Sequence, residues 1–208
     1  MNGNNEWGIA MQGNAEVINN AINDAISKLK ETPNFQLREN KIIYIEIGTG
    51  EGKTVVQVCK ILEKAGVDFI AVAVDIEDGW SFNQEAYLDN IQEFVHCVEL
   101  DLSGSPEALK RFDNQQVFAV LIDGDHSFDA VVKDFKEADR IVMKGGLIMF
   151  HDSGVDSQGA DKFDRQPHGI QVREFLDYYD MPTTGYELVV DHPDTEGTRG
   201  IFIMRKTK

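Results

Sequence analysis

Apolar residues in this chain fall into short, nearly continuous runs separated by helical stretches, and the alternation repeats. Ile42, Ile43, Ile45 and Ile47 make the first run, which suits a parallel strand buried on both faces. Thr54 to about Ala65 then places Val55, Val58 and Leu62 on one helical face. Phe69 to Val74 reads as a second strand and Gln84 to about Phe94 as a short helix. Val95 to Leu100 is the third strand, and Pro106 to Phe112 a helix after it. Val117 to Ile122, wholly apolar, is the fourth strand; a helix to about Val142 turns Ala130, Val131, Phe135, Ala138 and Ile141 inward. Lys144, Gly145 and Gly146 turn the chain into a fifth strand, Leu147 to Phe150. Ile170 to Tyr179 returns as helix, and Tyr186 to Val190 and Gly200 to Met204 close the pattern as two strands.

Upstream, Ala15 to Lys30 has helical spacing, while residues 1–14 are rich in Asn and Gly and are expected to be flexible. Repeated strand–helix units followed by a strand pair predict an α/β fold. Its sheet is mainly parallel and seven-stranded, with a C-terminal antiparallel hairpin. Residues 15–208 form one domain on this reading. The irregular segment Ser153 to Gly169 is a candidate active-site lid, since structureless segments of that length are usually functional or disordered.

The junction of the first strand and helix carries the densest chemistry: Glu46, Ile47, Gly48, Thr49, Gly50, Glu51, Gly52. Glycines there let backbone approach a ligand closely and present free N–H groups at a helix start. A phosphate-cradling loop ending at Gly52-Lys53-Thr54 needs its first glycine at position 47, where Ile stands. A dinucleotide loop wants its third glycine at position 53, which is Lys.

Neighbouring parallel strands end on the same side of a sheet, so Gly48, Asp75, Asp101, Asp123, His126 and Asp152 should converge on one crevice. Asp75 closes the second apolar run, where an acidic residue would hold ribose hydroxyls; Glu77 competes for that place. Trp80 and Phe82 either close over an adenine or plug their own loop. Asp101 either reaches an adenine amino group or turns the chain with Ser103. After the fourth strand come Asp123, Gly124, Asp125 and His126, and after the fifth His151 and Asp152. An imidazole with a free pKa near 6.5 is a sensible base, and a cation on carboxylates would acidify a hydroxyl.

Composition narrows the partners. Among 208 residues, 36 acidic and 20 basic side chains leave a net charge of -16, which argues against a nucleic-acid surface. Cys59 and Cys97 make no disulfide framework and read as thiols of a reducing cytoplasm. No apolar run approaches the roughly 18 residues of a membrane span.

The glycine loop resembles the nucleotide-binding loop of class I S-adenosylmethionine-dependent methyltransferases. From Lys41 to about Tyr179 the chain is similar to the small-molecule O-methyltransferase group of macrolide-sugar and aminocoumarin-sugar methyltransferases and cephalosporin-hydroxylase-like proteins. Leu121 to Phe128 and Gly145 to Asp152 carry that similarity. The resemblance implies a Rossmann-like methyltransferase fold and S-adenosylmethionine as cofactor, held by Glu46, Gly48, Thr49, Gly50, Glu51, Gly52, Asp75, Asp101 and Asp123. It also implies a divalent cation, Mg2+ or Mn2+, on Asp123, His151 and Asp152, with His126 or Asp125 taking the acceptor proton. A homodimer or higher assembly is implied as well. The chain departs from the group at His151, where a carboxylate is usual. The expected activity is methyl transfer to a hydroxyl of a small molecule such as a sugar, polyol, phenol or natural product. The alternatives are a nicotinamide-dependent oxidoreductase and a nucleoside-binding protein without turnover.

Overall fold

Seven strands form one sheet in the order β3-β2-β1-β4-β5-β7-β6. They are β1 (Ile42–Ile47), β2 (Phe69–Val74), β3 (Val98–Asp101), β4 (Val117–Ile122), β5 (Val142–His151), β6 (Tyr186–His192) and β7 (Ile201–Lys206). The computed structural model describes residues 6–31, 41–154, 168–179, 184–192 and 200–208, with side chains from Asn14 in the first stretch and from Gln171 in the third. Strands β1 to β5 pair in parallel, while β7 runs antiparallel to both β5 and β6. The sheet is therefore the predicted one, closed by an antiparallel hairpin.

Every residue of β1 and of β4 is buried, as expected of strands covered on both faces. On one face lie α1 (Glu6–Glu31), α2 (Lys53–Lys64) and α4 (Gln84–Ile91), whose Ile22, Val55, Leu62 and Tyr87 join Tyr44, Phe118 and Met149 in one cluster. On the other lie α5 (Phe128–Ile141) and α6 (His168–Tyr178), with Phe135, Val172 and Phe175 against Ile45, Val120 and Phe150. Full burial of such side chains is worth about 1.5–3 kcal/mol each, and this apolar packing sets the strand ends in register.

Several elements differ from the sequence expectation. Helix α1 starts at Glu6, so the N-terminal stretch expected to be flexible is already helical there. A five-residue helix, α3 (Glu77–Ser81), replaces the loop around Trp80. Strand β3 starts at Val98, because Gln92–Phe94 tightens into a 3-10 turn and the next residues turn before reaching the edge of β2. Glu107–Arg111 is also 3-10 rather than α-helical. The glycine turn before β5 lies inside that strand as a bulge: Val117 faces Val142, but Ala119 faces Leu147. Side chains would not fit there, since a Cβ on Gly146 would come within 2.4 Å of the Phe118 carbonyl oxygen. Cys59 and Cys97 are free thiols, the first buried and the second partly so. The candidate lid lies almost wholly outside the described residues, with only Ser153, Gly154 and the start of α6 inside them.

Helix α5 buries an acid. Asp134 is 5% exposed and accepts a 2.5 Å hydrogen bond from Ser105 Oγ. Burial pushes its carboxyl up to about 6. The folded state thus favours the protonated form; that stability is full below the unfolded value near 3.8 and is lost as pH rises through about 6. Asp134→Asn, which cannot ionise, is expected to be more stable than the parent at pH 8 by about 1–3 kcal/mol, and level with it at pH 4. Thermal melts at both pH values check this, and a variant less stable at pH 8 would show that the ionised carboxylate is needed.

Candidate active site

The carboxyl ends of β2, β1, β4 and β5 stand side by side, and short hydrogen bonds lace the turns that leave them. Gly48 N–H donates to the Val74 carbonyl at 2.8 Å, Asp123 N–H to Ile47 at 2.9 Å, and Asp75 N–H to Asp101 at 3.1 Å. Gly48, Gly50 and Gly52 all take positive φ, at 80°, 48° and 72°, the region that favours glycine. Gly48 must be glycine for a second reason: a Cβ there would lie 2.1 Å from the Asp123 carbonyl oxygen. The loop after β1 is therefore pressed against the turn after β4.

Asp75 ties this loop to β2. Its Oδ2 accepts from Gly50 N–H at 2.9 Å and its Oδ1 from Ile76 N–H at 2.8 Å. Thr49 is buried, and its Oγ1 has no hydrogen-bond partner among the described residues, while nothing stands within 4 Å of a Cβ built on Gly50. An orphaned hydroxyl beside an open glycine turn fits a loop that receives the amino-acid end and ribose of a nucleoside cofactor. Glu51 bonds Lys53 instead and is half exposed.

Beneath the loop, Glu46 is 2% exposed and accepts from the Tyr44 hydroxyl at 2.7 Å. Burial first, and the Asp123 charge as well, raise its carboxyl to about 8, although the Tyr44 bond works the other way. Burial thus shifts Glu46 towards its protonated form, a property invisible in the sequence.

The turns after β4 and β5 bring four side chains together. Asp123 Oδ1 meets His151 Nδ1 at 3.1 Å and His126 Nε2 at 3.4 Å. Asp152 meets His151 Nδ1 at 3.2 Å through Oδ1 and His126 Nδ1 at 3.5 Å through Oδ2. Asp152 is 2% exposed and holds a φ of 54°, in the left-handed region that costs a non-glycine residue about 1–2 kcal/mol. Burial opposes ionisation of Asp123, yet the charge of His151 and the bond to His126 hold it well below the usual carboxylate range. Burial likewise opposes charging His126 and His151, and the facing carboxylates overcome it and raise both.

Of the residues singled out in the sequence, Gly48, Asp75, Asp123, His126, His151 and Asp152 are brought to one crevice. Asp125 is not part of the cluster: its Oδ1 accepts from Ser127 N–H at 2.9 Å, turning the chain into α5. Asp101 likewise accepts from the Ser103 N–H at 3.0 Å and hydroxyl at 2.6 Å, the turn-forming role. Trp80 packs edge-on against Tyr87 with centroids 6.4 Å apart, so it plugs its own segment, whereas Phe82 is 90% exposed. One member has no signal in the sequence. Asn14, on α1 and 2% exposed, places Nδ2 3.1 Å from His151 Nε2 across 137 positions of chain.

This sheet order, with the glycine loop after β1 and an acidic end to β2, is the Rossmann-like fold of class I S-adenosylmethionine-dependent methyltransferases. A family model described as a methyltransferase domain matches residues 45–153, just over half of the chain, and the protein belongs to that family. It is 29% identical over 130 residues to uncharacterized protein R132 of Acanthamoeba polyphaga mimivirus, a match covering 55% of this chain and 52% of that protein. The chain thus matches about half the length of that curated relative. Among solved structures, it resembles the O-methyltransferase TomG of Streptomyces achromogenes in complex with S-adenosylmethionine. There the identity is 16%, the coverage 88% and 90% of the two chains, and the TM-score 0.59. Cofactor-bound Rv0187 from MTB matches at 16% identity over 90% of each chain, with a TM-score of 0.61. The O-methyltransferase of Bacillus cereus in complex with S-adenosylhomocysteine matches at 16% over 80% and 74%, with a TM-score of 0.56. At these identities the likeness is one of fold. Among the described residues, no helix is long and apolar enough to cross a membrane.

Proposed function

We propose that this protein transfers a methyl group from S-adenosylmethionine to a hydroxyl of a small acceptor such as a sugar, polyol, phenol or natural product. The observation that carries the reading is the contact between the cofactor-type loop and the Asp/His cluster, Gly48 lying directly on Asp123. The cofactor supplies a methyl on a sulfonium: the acceptor oxygen bonds the methyl carbon, the C–S pair stays with sulfur, and the hydroxyl proton goes to the protein. Such an in-line displacement needs the acceptor aimed and deprotonated, and little else at the methyl itself. Thr49 and the backbone of Gly48 to Gly52 would hold the amino-acid end of the cofactor, and Asp75 the ribose. Asp123, His126, His151 and Asp152 receive or relay the proton. Two carboxylates beside an imidazole also fit a divalent cation, which would lower the proton affinity of the acceptor hydroxyl.

Calorimetry tests the cofactor assignment. S-adenosylhomocysteine should bind well ahead of NADH and ATP, and Asp75→Ala should weaken it by about 1.5–3 kcal/mol, the scale of a hydrogen bond to a charged group. Tight NADH binding without any response to S-adenosylhomocysteine would instead favour the oxidoreductase alternative.

A further inference from the structure

Asn14 stands where the packing of α1 calls for an apolar side chain. Ile18, Ile22, Ala25 and Leu29 of that helix are buried in the core, and Asn14, one turn before Ile18, lies on the same helical face at 2% exposure. Burying an amide costs about 1–3 kcal/mol unless it is hydrogen-bonded, so a leucine there would serve the fold alone better. Helix α1 is held elsewhere without it: Asp24 accepts from Arg205 at 2.5 Å, Lys30 Nζ donates to the Ala65 carbonyl at 3.1 Å, and Leu29 lies over Gly145. The contact that explains an amide at this place is the one to His151 Nε2, at 3.1 Å.

What this contact fixes is the other side of the ring. His151 Nδ1 faces Asp123 Oδ1 at 3.1 Å and Asp152 Oδ1 at 3.2 Å, and an ionised carboxylate can only accept, so Nδ1 carries a proton. Asn14 bonds the opposite nitrogen whichever way its amide is turned, because one end donates and the other accepts. The ring is thereby held at both nitrogens. Released at Nε2, it would be free to make a half-turn about χ2, which puts Cδ2 where Nδ1–H now stands. Asp123 would then keep only His126 of the two imidazoles that face it.

We infer that Asn14 is a positioning residue of the reacting centre, pinning the His151 ring from α1 so that its Nδ1–H stays on Asp123. The inference rests on the methyltransferase reading of the same crevice and deepens it. Asn14 acts through His151, which holds Asp123 in the orientation that proton transfer needs, and it touches neither cofactor nor acceptor. Helix α1 thereby belongs to the reacting centre as well as to the cover of the sheet. A polar residue that breaks an apolar face is where the demands of function and of folding part company.

The test is heteronuclear NMR of the full chain, labelled at the histidine ring nitrogens and measured with and without S-adenosylhomocysteine. The parent should show a proton resonance on His151 Nδ1, assigned by its loss in His151→Gln. Asn14→Leu and Asn14→Ala should both lose it, while a cooperative melt and retained S-adenosylhomocysteine binding show that they are folded. In the same variants kcat for methyl transfer to hydroxylated acceptors should fall by about 10–100-fold with KM little changed, the scale of a reacting group displaced by about 1 Å. An amide kept only for packing predicts the reverse, an altered Tm with an unchanged kcat. The inference is overturned by a parent without the Nδ1 proton, by a folded variant that keeps it, or by a variant that loses it at full turnover. A parent that transfers no methyl group removes the methyltransferase reading instead, and the Nδ1 comparison then decides whether Asn14 holds the ring.

Discussion

Asp123→Asn is expected to keep its fold and its affinity for S-adenosylhomocysteine while methyl transfer falls by about 10²–10⁴-fold, the scale of losing a proton-transfer group. Asp123 faces both histidines of the cluster through one atom, its Oδ1 meeting His126 and His151. An amide in its place has the same shape but no charge, and half its polar end donates rather than accepts. The two imidazoles then lose one of the two carboxylates that face them, and the acceptor proton loses part of the relay proposed for it. The fold should survive, since β4 is anchored by its apolar residues and by the Asp123 backbone bond to Ile47. Turnover against a panel of hydroxylated acceptors, with cofactor-product binding measured in parallel, decides the matter. Activity within about threefold of the parent would move the reacting centre elsewhere.

Asp123 was legible because its neighbourhood is written in a form that sequence displays. Parallel strands buried on both faces leave unbroken apolar runs, and the residue after each run must lie at the carboxyl edge of the sheet. Hence Gly48, Asp75, Asp123 and Asp152 could be placed on one crevice, and they are there. The same logic cannot separate a site residue from a turn former, because an Asp at a strand end serves either purpose. Asp101 and Asp125 share the positional signal of Asp75 and Asp123, but bond Ser103 and Ser127. What distinguishes them is a partner remote in the chain: Asp75 accepts from Gly50 N–H and Asp123 meets His151, whereas Asp101 and Asp125 bond groups two positions on. Asn14 was hidden for another reason. It lies in a polar stretch without apolar periodicity, and its partner, His151, is remote in the chain. Glu46 is the reverse case: its position was plain, while its raised carboxyl follows from complete burial and the nearby Asp123 charge, against the pull of the Tyr44 bond.

Gly48→Ala is expected to be the most damaging single methyl group added anywhere in the loop. Its Cβ would meet backbone alone, with the Asp123 carbonyl oxygen at 2.1 Å, the Asp123 carbonyl carbon at 2.6 Å and Gly124 Cα at 2.7 Å. None of these is the far end of a flexible side chain, so the loop after β1 has to lift away from the turn after β4. The φ of 80° adds strain of its own. Together the overlap and the strain should cost about 2–5 kcal/mol, which for a chain of this size lowers Tm by about 5–20 °C. S-adenosylhomocysteine binding should be lost with it, because the lifted loop is the part that would cradle the cofactor. Gly50→Ala is the control. It shares the positive φ, at 48°, but nothing stands within 4 Å of its Cβ, so only the conformational cost of about 1 kcal/mol applies. Its Tm should fall by about 2–4 °C. If the two variants melt together, the close approach of loop and turn is not what makes Gly48 a glycine. If Gly48→Ala alone collapses, the contact that joins the cofactor loop to the Asp/His cluster is also the contact that holds the crevice together.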